Sequence, residues 1–186
     1  MTNDLGPGAS RAGFVARSHP LDRESVDRAI RRMGHEVFEH NAQSDVVIIG
    51  LQSGGVAFAT RLAEVLREIS GHPAPVGALD VSFFRDDLTR RPLRGPSVTD
   101  IPVDLSGRDV LIVDDVLFTG RTVRAALSAL AEWGRPRAIQ LAVMVDRGHR
   151  ELPIRPDYVG KNLPTAVDDV VVATVEGVWI GVEDRP

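Results

Sequence analysis

The sequence contains no cysteine. That excludes disulfide scaffolds, Cys-ligated zinc, iron–sulfur clusters and thiol catalysis, and it fits a reducing cytosol. Lysine is almost absent as well: Lys161 stands alone beside 21 arginines among the 22 basic residues. Long hydrophobic runs are missing. No stretch approaches the ~20 apolar residues that cross a bilayer, and Met1–Pro20 has no apolar core of the kind a secretory leader carries. There is no internal repeat, no low-complexity tract, no G-x-x-x-x-G-K-[ST] and no G-x-G-x-x-G.

What is present is 186 residues, 43% hydrophobic and 26% charged, with a net charge of −4. This composition is that of one soluble globular domain. The charge is unevenly spread. Between residues 135 and 161, Arg135, Arg137, Arg147, Arg150, Arg155 and Lys161 face only Asp146, Glu151 and Asp157; after Asn162 the acids prevail.

Residues 1–20 hold Gly6, Pro7, Gly8 and Gly13 with few apolar positions and read as a flexible tail, leaving 21–186 as a single domain. Asp22 is placed to cap a helix running to Asn41, on which Val26, Ile30, Met33 and Val37 form one apolar stripe. Asp45–Gly50 is a β-branched run that suits a buried parallel strand. A small-residue turn, Gln52-Ser53-Gly54-Gly55, leads into a helix over 56–69. Pro75–Val81 is a second strand, and Phe83–Pro102 a long polar loop of the kind that is usually functional. Asp109–Val113 is another buried strand. A helix over 121–133 closes at Gly134, and strands follow at 138–145, at Tyr158, at 170–175 and at 178–182. Strands alternating with helices indicate an α/β fold with a mostly parallel, twisted sheet flanked by helices.

Chemistry concentrates in one segment: Val110, Leu111, Ile112, Val113, Asp114, Asp115, Val116, Leu117, Phe118, Thr119, Gly120, Arg121 and Thr122. A strand delivers two adjacent carboxylates to its carboxyl end, where open α/β sheets bind ligands. A carboxylate there can accept both hydrogen bonds of vicinal ribose hydroxyls. Thr119–Thr122 then begins a helix, whose N-terminal N–H groups suit an anion. Gly120 permits a left-handed turn and a close phosphate. Ribose and phosphate recognition in one loop imply a ribose 5-phosphate.

This segment resembles the phosphoribosyl-diphosphate (PRPP) motif of type I phosphoribosyltransferases. Residues 25–165 further resemble the bifunctional pyrimidine-operon attenuator / uracil phosphoribosyltransferase (PyrR) family. The stretches that carry this are Phe84-Arg85-Asp86-Asp87-Leu88, Thr99-Asp100-Ile101-Pro102-Val103, Gly134-Arg135-Pro136 and the long run from Ile139 to Asn162. The resemblance implies a type I phosphoribosyltransferase fold with a small hood and a flexible loop. It implies a cytoplasmic protein that assembles as a dimer or higher homo-oligomer, with no membrane partner. Asp114 and Asp115 would be the catalytic pair, holding PRPP together with Mg²⁺. No protein side chain is expected to ligate the metal itself. Uracil would take the place of diphosphate to give UMP. Gln52, Ser53 and Gly54 would form the pyrophosphate loop; Arg85, Asp86 and Arg90 the flexible loop; Arg147 and Gly148 the uracil loop. Arg31, Arg32, His35, His149, Arg150, Arg155 and Lys161 would contact the leader mRNA of pyrimidine genes.

Two details sharpen the expectation. Purine-using relatives carry Asp three residues after the second acid; here that residue is Phe118, which favours a pyrimidine. The family's pyrophosphate loop usually carries charge, whereas Gly50–Gly55 has none, so an arginine restored at Gly54 is expected to tighten PRPP. Two other readings stay open: an RNA-binding regulator with little or no activity, and a plain uracil phosphoribosyltransferase with no RNA role. The His35/His40 pair, spaced i, i+5, splays by about 140° and does not make a zinc pair.

Overall fold

The structure is a computed structural model, and it describes residues 13–41, 45–52, 54–84 and 98–183. Helix α1 (Arg23–His40) starts where expected: Asp22 caps it, its carboxylate accepting the Ser25 N–H at 2.8 Å. Val26, Ile30, Met33 and Val37 are all buried along one stripe. Strand β2 (Val46–Leu51) is buried at every position, and helix α2 (Gly55–Ser70) follows it. Then come β3 (Val76–Leu79), β4 (Asp109–Leu117), helix α3 (Arg121–Leu130), β5 (Ala138–Asp146) and β6 (Tyr158–Asn162). The third helix is shorter than its pattern suggests, because Ala131–Trp133 tighten into a 3-10 turn before Gly134.

These strands form a five-stranded sheet in the order β3-β2-β4-β5-β6, every pairing parallel. The chain leaves β2 towards β3 on one side and leaves β4 towards β5 on the other. The direction of winding therefore reverses between β2 and β4, and the crevice at their carboxyl ends is the topological switch point. Helices α1 and α2 pack on one face with Leu111 and Val113. Helix α3 packs on the other with Val110 and Ile112.

A second sheet, antiparallel, joins β1 (Phe14–Asp22), β8 (Gly177–Glu183) and β7 (Val170–Thr174) in the order β1-β8-β7. This is the expected hood. Strand β1 corrects the reading of residues 1–20 as tail: from Phe14 onward the chain is an edge strand, paired from Phe14↔Glu183 to Asp22↔Gly177. Residues 1–12 lie outside the described residues, as do Ser53, Arg85, Asp86 and Arg90. No described helix is long and apolar enough to cross a membrane.

Candidate functional site

Strand β4 runs on through the acidic pair to Leu117 rather than ending at Val113. The reason lies in its two neighbours. Pairing with β2 stops at Gly50↔Val113, whereas pairing with β5 continues through Asp114↔Val143 and Leu117↔Asp146. The acids thus stand beyond the end of β2 yet remain fixed by β5. Alternation along the strand sends the two carboxylates to opposite faces. Asp114 is buried, its Oδ1 accepting the Asp115 N–H at 3.0 Å; Asp115 is half-buried and accepts the Val116 N–H at 2.7 Å.

The turn after β2 comes up against the second acid. A Cβ built on Gly54 would lie 2.2 Å from Asp115 Oδ2, and one on Gly55 2.1 Å from the Val113 carbonyl oxygen. The two glycines let the start of α2 press onto β4, and Gly54 borders the switch-point crevice together with Asp115. A side chain at 54, an arginine included, would have to displace the Asp115 carboxylate. Gln52 reaches from the same turn to the far side of the long loop, its Nε2 donating to the Val98 carbonyl at 3.1 Å.

Gly120 is the N-cap of α3, in the left-handed region at φ 93°. That conformation favours glycine, and Ile154 fills the space beside it, 3.3 Å from a built Cβ. The Arg121 N–H reaches Thr119 Oγ1 at 3.4 Å. Segment 147–154 is laced onto this loop. The Arg147 N–H donates to Leu117 O, and the Glu151 and Leu152 N–H groups to Thr119 O. Arg121 pairs with Glu151 through Nε at 2.7 Å and Nη2 at 2.6 Å.

The basic residues separate into two kinds. Arg150 is a fastener. Its Nη1 donates to Phe118 O at 2.9 Å and Gly148 O at 3.2 Å, its Nε to Ile154 O at 3.1 Å, and its Nη2 to Asp146 at 2.5 Å. Its guanidinium is thus engaged by the protein itself although the side chain is only half-enclosed. Arg147 is likewise enclosed, bonded to Thr165 and to carbonyls of 166–169. Burial lowers its pKa, an effect that the nearby Asp169 charge partly offsets. The Arg147 guanidinium also lies over the Phe118 ring at 4.1 Å, with the His149 ring edge-on at 6.0 Å. His149 Nε2 contacts Thr165 O at 2.6 Å. Gly148, by contrast, is exposed.

The other basic residues face outward. Arg32 crosses from α1 to edge strand β6, donating to Val159 O and Gly160 O at 2.7 and 2.8 Å while pairing with Glu36. Arg31 pairs with Glu68 at 3.0 Å. His35, Arg155 and Lys161 are exposed. Arg32 thus reaches the β6 backbone at the residue before Lys161, with His35 about one turn along the same helix. What sequence reasoning missed is Thr165 and the segment after it. The Asp169 carboxylate accepts the Ala166 N–H at 2.8 Å and closes that segment. No sequence pattern marks the segment, because most of what it offers Arg147 is its own backbone carbonyls.

Among the described residues no three His, Asp or Glu side chains gather as a metal site. The oxygen donors of the acidic pair suit a hard divalent cation that keeps most of its ligands from a bound phosphate compound.

Comparisons with known proteins agree with this architecture. The model of the phosphoribosyl transferase domain matches residues 21–177. A bifunctional protein PyrR from Roseiflexus sp. (strain RS-1) is 51% identical over 168 residues, covering 88% of this chain and 90% of the relative. The bifunctional protein PyrR of Bacillus subtilis (strain 168) is 46% identical over 162 residues, 85% of this chain and 90% of the relative. Among solved structures, a hypoxanthine phosphoribosyltransferase from Staphylococcus aureus matches with a TM-score of 0.68 and 20% identity, over 92% of this chain and 94% of that one. A Trypanosoma cruzi hypoxanthine phosphoribosyltransferase in complex with IMP matches at 0.69 and 17%, over 90% and 91%; at these identities the likeness is one of fold. With a domain match across most of its length and half its residues shared with such relatives, the chain belongs to the phosphoribosyl transferase domain family and, within it, to the bifunctional PyrR proteins.

Proposed function

We propose that this protein is a UMP-dependent, RNA-binding attenuator of pyrimidine biosynthesis genes that also converts uracil and PRPP to UMP and diphosphate. The observation that carries the reading is the acidic pair at the β2–β4 switch point, joined within five residues to the glycine-led start of α3. Asp114 and Asp115 hold the ribose hydroxyls, and Thr119–Thr122 hold the 5-phosphate. In the reaction the C1–O bond to diphosphate breaks, the bond from uracil N1 to C1 forms, and the N1 proton is released. The two carboxylates offset the positive charge that develops on the sugar ring. Mg²⁺, when bound with PRPP, neutralises charge on the leaving diphosphate. Arg85, Asp86 and Arg90 belong to the segment that closes over the site and excludes water.

The uracil lies beside Phe118, with Gly148 on the loop that borders it. Leader RNA meets Arg31, Arg32, His35, His149, Arg155 and Lys161, an outward-facing set along α1, the β5–β6 connection and β6. Arg150 supports that face from within. The protein works in the cytoplasm as a dimer or higher homo-oligomer, with residues 21–186 as one functional domain.

The uncharged turn at Gly50–Gly55 favours a second reading, a regulator that senses UMP with little turnover. Two measurements decide. Incubation with uracil and PRPP should yield UMP; its absence leaves the regulator alone. Titration of leader RNA with and without UMP should show tighter binding with UMP; RNA binding that ignores UMP leaves a salvage enzyme.

A further inference from the structure

Arg147 is a buried cation that spends its donors on neutral oxygens. Its Nε donates to Thr165 Oγ1 at 3.1 Å, its Nη1 to Asp169 O at 2.7 Å, and its Nη2 to Ala166 O and Val167 O at 2.7 and 3.2 Å. Only 6% of its surface is exposed. Taking a guanidinium out of water is costly unless every donor is met. Here the donors are met by a short surface segment that neutral side chains could tether just as well. What a guanidinium adds is a flat cationic face, and that face lies on the Phe118 ring at 4.1 Å. One side chain thus fixes residues 165–169, the approach to β7 in the hood, above the ring that follows the acidic pair.

A nucleotide whose ribose sits on Asp114 and Asp115, with its 5-phosphate at Thr119–Thr122, carries its base on the opposite side of the sugar. There the described structure offers Phe118, His149 and the 165–169 segment. We propose that Arg147 is a positioning residue for the base: it does not touch the pyrimidine, but clamps Phe118 and residues 165–169 to one another beside it. This rests on the nucleotide-site reading above. The same clamp keeps Thr165 O on His149 at 2.6 Å, so the two groups that border the base move together.

Calorimetric titration of the full chain with UMP and, separately, with ribose 5-phosphate isolates the base from the sugar phosphate. Wild-type protein should bind UMP more tightly than ribose 5-phosphate. Arg147→Lys should weaken UMP by about tenfold or more while ribose 5-phosphate stays within about twofold, because lysine can replace neither the fork nor the flat face. Equal losses for both ligands, or no loss for either, would overturn the proposal. Should Arg147→Lys fail to fold, Thr165→Val decides on the same ratio. It removes one bond of the clamp and should weaken UMP alone by about threefold or more. Wild-type protein that binds neither ligand overturns the nucleotide-site reading, and this inference with it.

Discussion

Gly54 abuts Asp115 so closely that hydrogen is the only substituent its Cα can carry without moving the carboxylate: a Cβ there would stand 2.2 Å from Asp115 Oδ2. The contact spans the crevice between β2 and β4, so a change in the small-residue turn is felt at the acid. Gly54→Ala should raise the KM for PRPP by about fivefold or more, since the methyl fits only if the Asp115 carboxylate swings from its place in the crevice and loses its alignment. Gly54→Arg should do worse, despite its charge. Steady-state kinetics of the two variants check this; an arginine variant with tightened PRPP binding would reverse the argument.

The acids themselves can be tested with little structural damage, because Asn keeps the shape and the Oδ1 that accepts the following N–H at each position. Asp114→Asn combined with Asp115→Asn should leave thermal unfolding near that of the parent. UMP formation should fall about a hundredfold or more, from the loss of charge stabilisation at the sugar. Near-normal turnover in the folded double variant would remove the site from this part of the fold.

Much of this was legible in the sequence, and what was not has physical causes. Strands β2 and β5 and the amphipathic α1 announce themselves through burial on both faces or along one stripe. The end of β4 does not, because adjacent charges look like the end of a strand when pairing to β5 in fact carries it on to Leu117. Strand β1 was hidden by its polar sequence, Arg17-Ser18-His19-Pro20. An edge strand tolerates this, including a proline, and its partner β8 lies some 160 residues away in the chain. Arg147 and Arg150 look like surface charges in sequence; Arg147 is buried against the carbonyls of residues 166–169, and Arg150 is half-enclosed by carbonyls just beyond the ends of β4 and β5. The PRPP-type segment was legible because its chemistry is contiguous. The clamp on residues 165–169 was not, because all but one of its acceptors, the Thr165 hydroxyl, are backbone carbonyls.

Tyr158 supplies a pH test of the core. It is buried, its hydroxyl donates to Gln140 Oε1 at 2.7 Å, and Gln140 pairs in turn with Asn41. Burial raises the Tyr158 pKa. A phenol with a raised folded pKa contributes stability that is whole below its unfolded pKa of about 10 and is lost as pH rises through the folded value. Unfolding free energy should therefore decline above about pH 10, and Tyr158→Phe should flatten that decline at a cost of about 1 kcal/mol in neutral buffer. Denaturant titrations of both proteins across that range give the answer; parallel curves would place the alkaline sensitivity elsewhere.

Arg150 connects the phosphate loop to the outward basic face, and its variants should show both effects. Arg150→Ala strips donors from Phe118 O, Gly148 O and Ile154 O and leaves the Asp146 carboxylate, itself mostly enclosed, without its partner. Stability should drop by about 2 kcal/mol or more. PRPP binding and RNA binding should weaken together, since Phe118 leads directly into Thr119–Thr122. A purely surface role predicts loss of RNA binding with unchanged melting and PRPP affinity, and that pattern would contradict the fastening role.

Lys161 and Arg155 should behave differently from every interior arginine. Both are exposed, on edge strand β6 and on the connection that leads into it. Each phosphate contact releases counterions, so RNA affinity should fall steeply with salt, and Lys161→Ala or Arg155→Ala should each reduce that slope by about 0.7 to 0.9. Melting and UMP formation should stay unchanged. Arg31→Ala should cost less, because Arg31 already pairs with Glu68 and must exchange one anion for another. If UMP tightens RNA in the parent, RNA must tighten UMP by the same factor. In Lys161→Ala that factor should persist while overall affinity drops, because the lost contact lies on the RNA side of the linkage. Filter binding across several salt concentrations, with and without UMP, measures slope and coupling together. A flat salt response in the parent protein would refute the RNA face altogether, whereas an unchanged slope in both alanine variants would move it off β6.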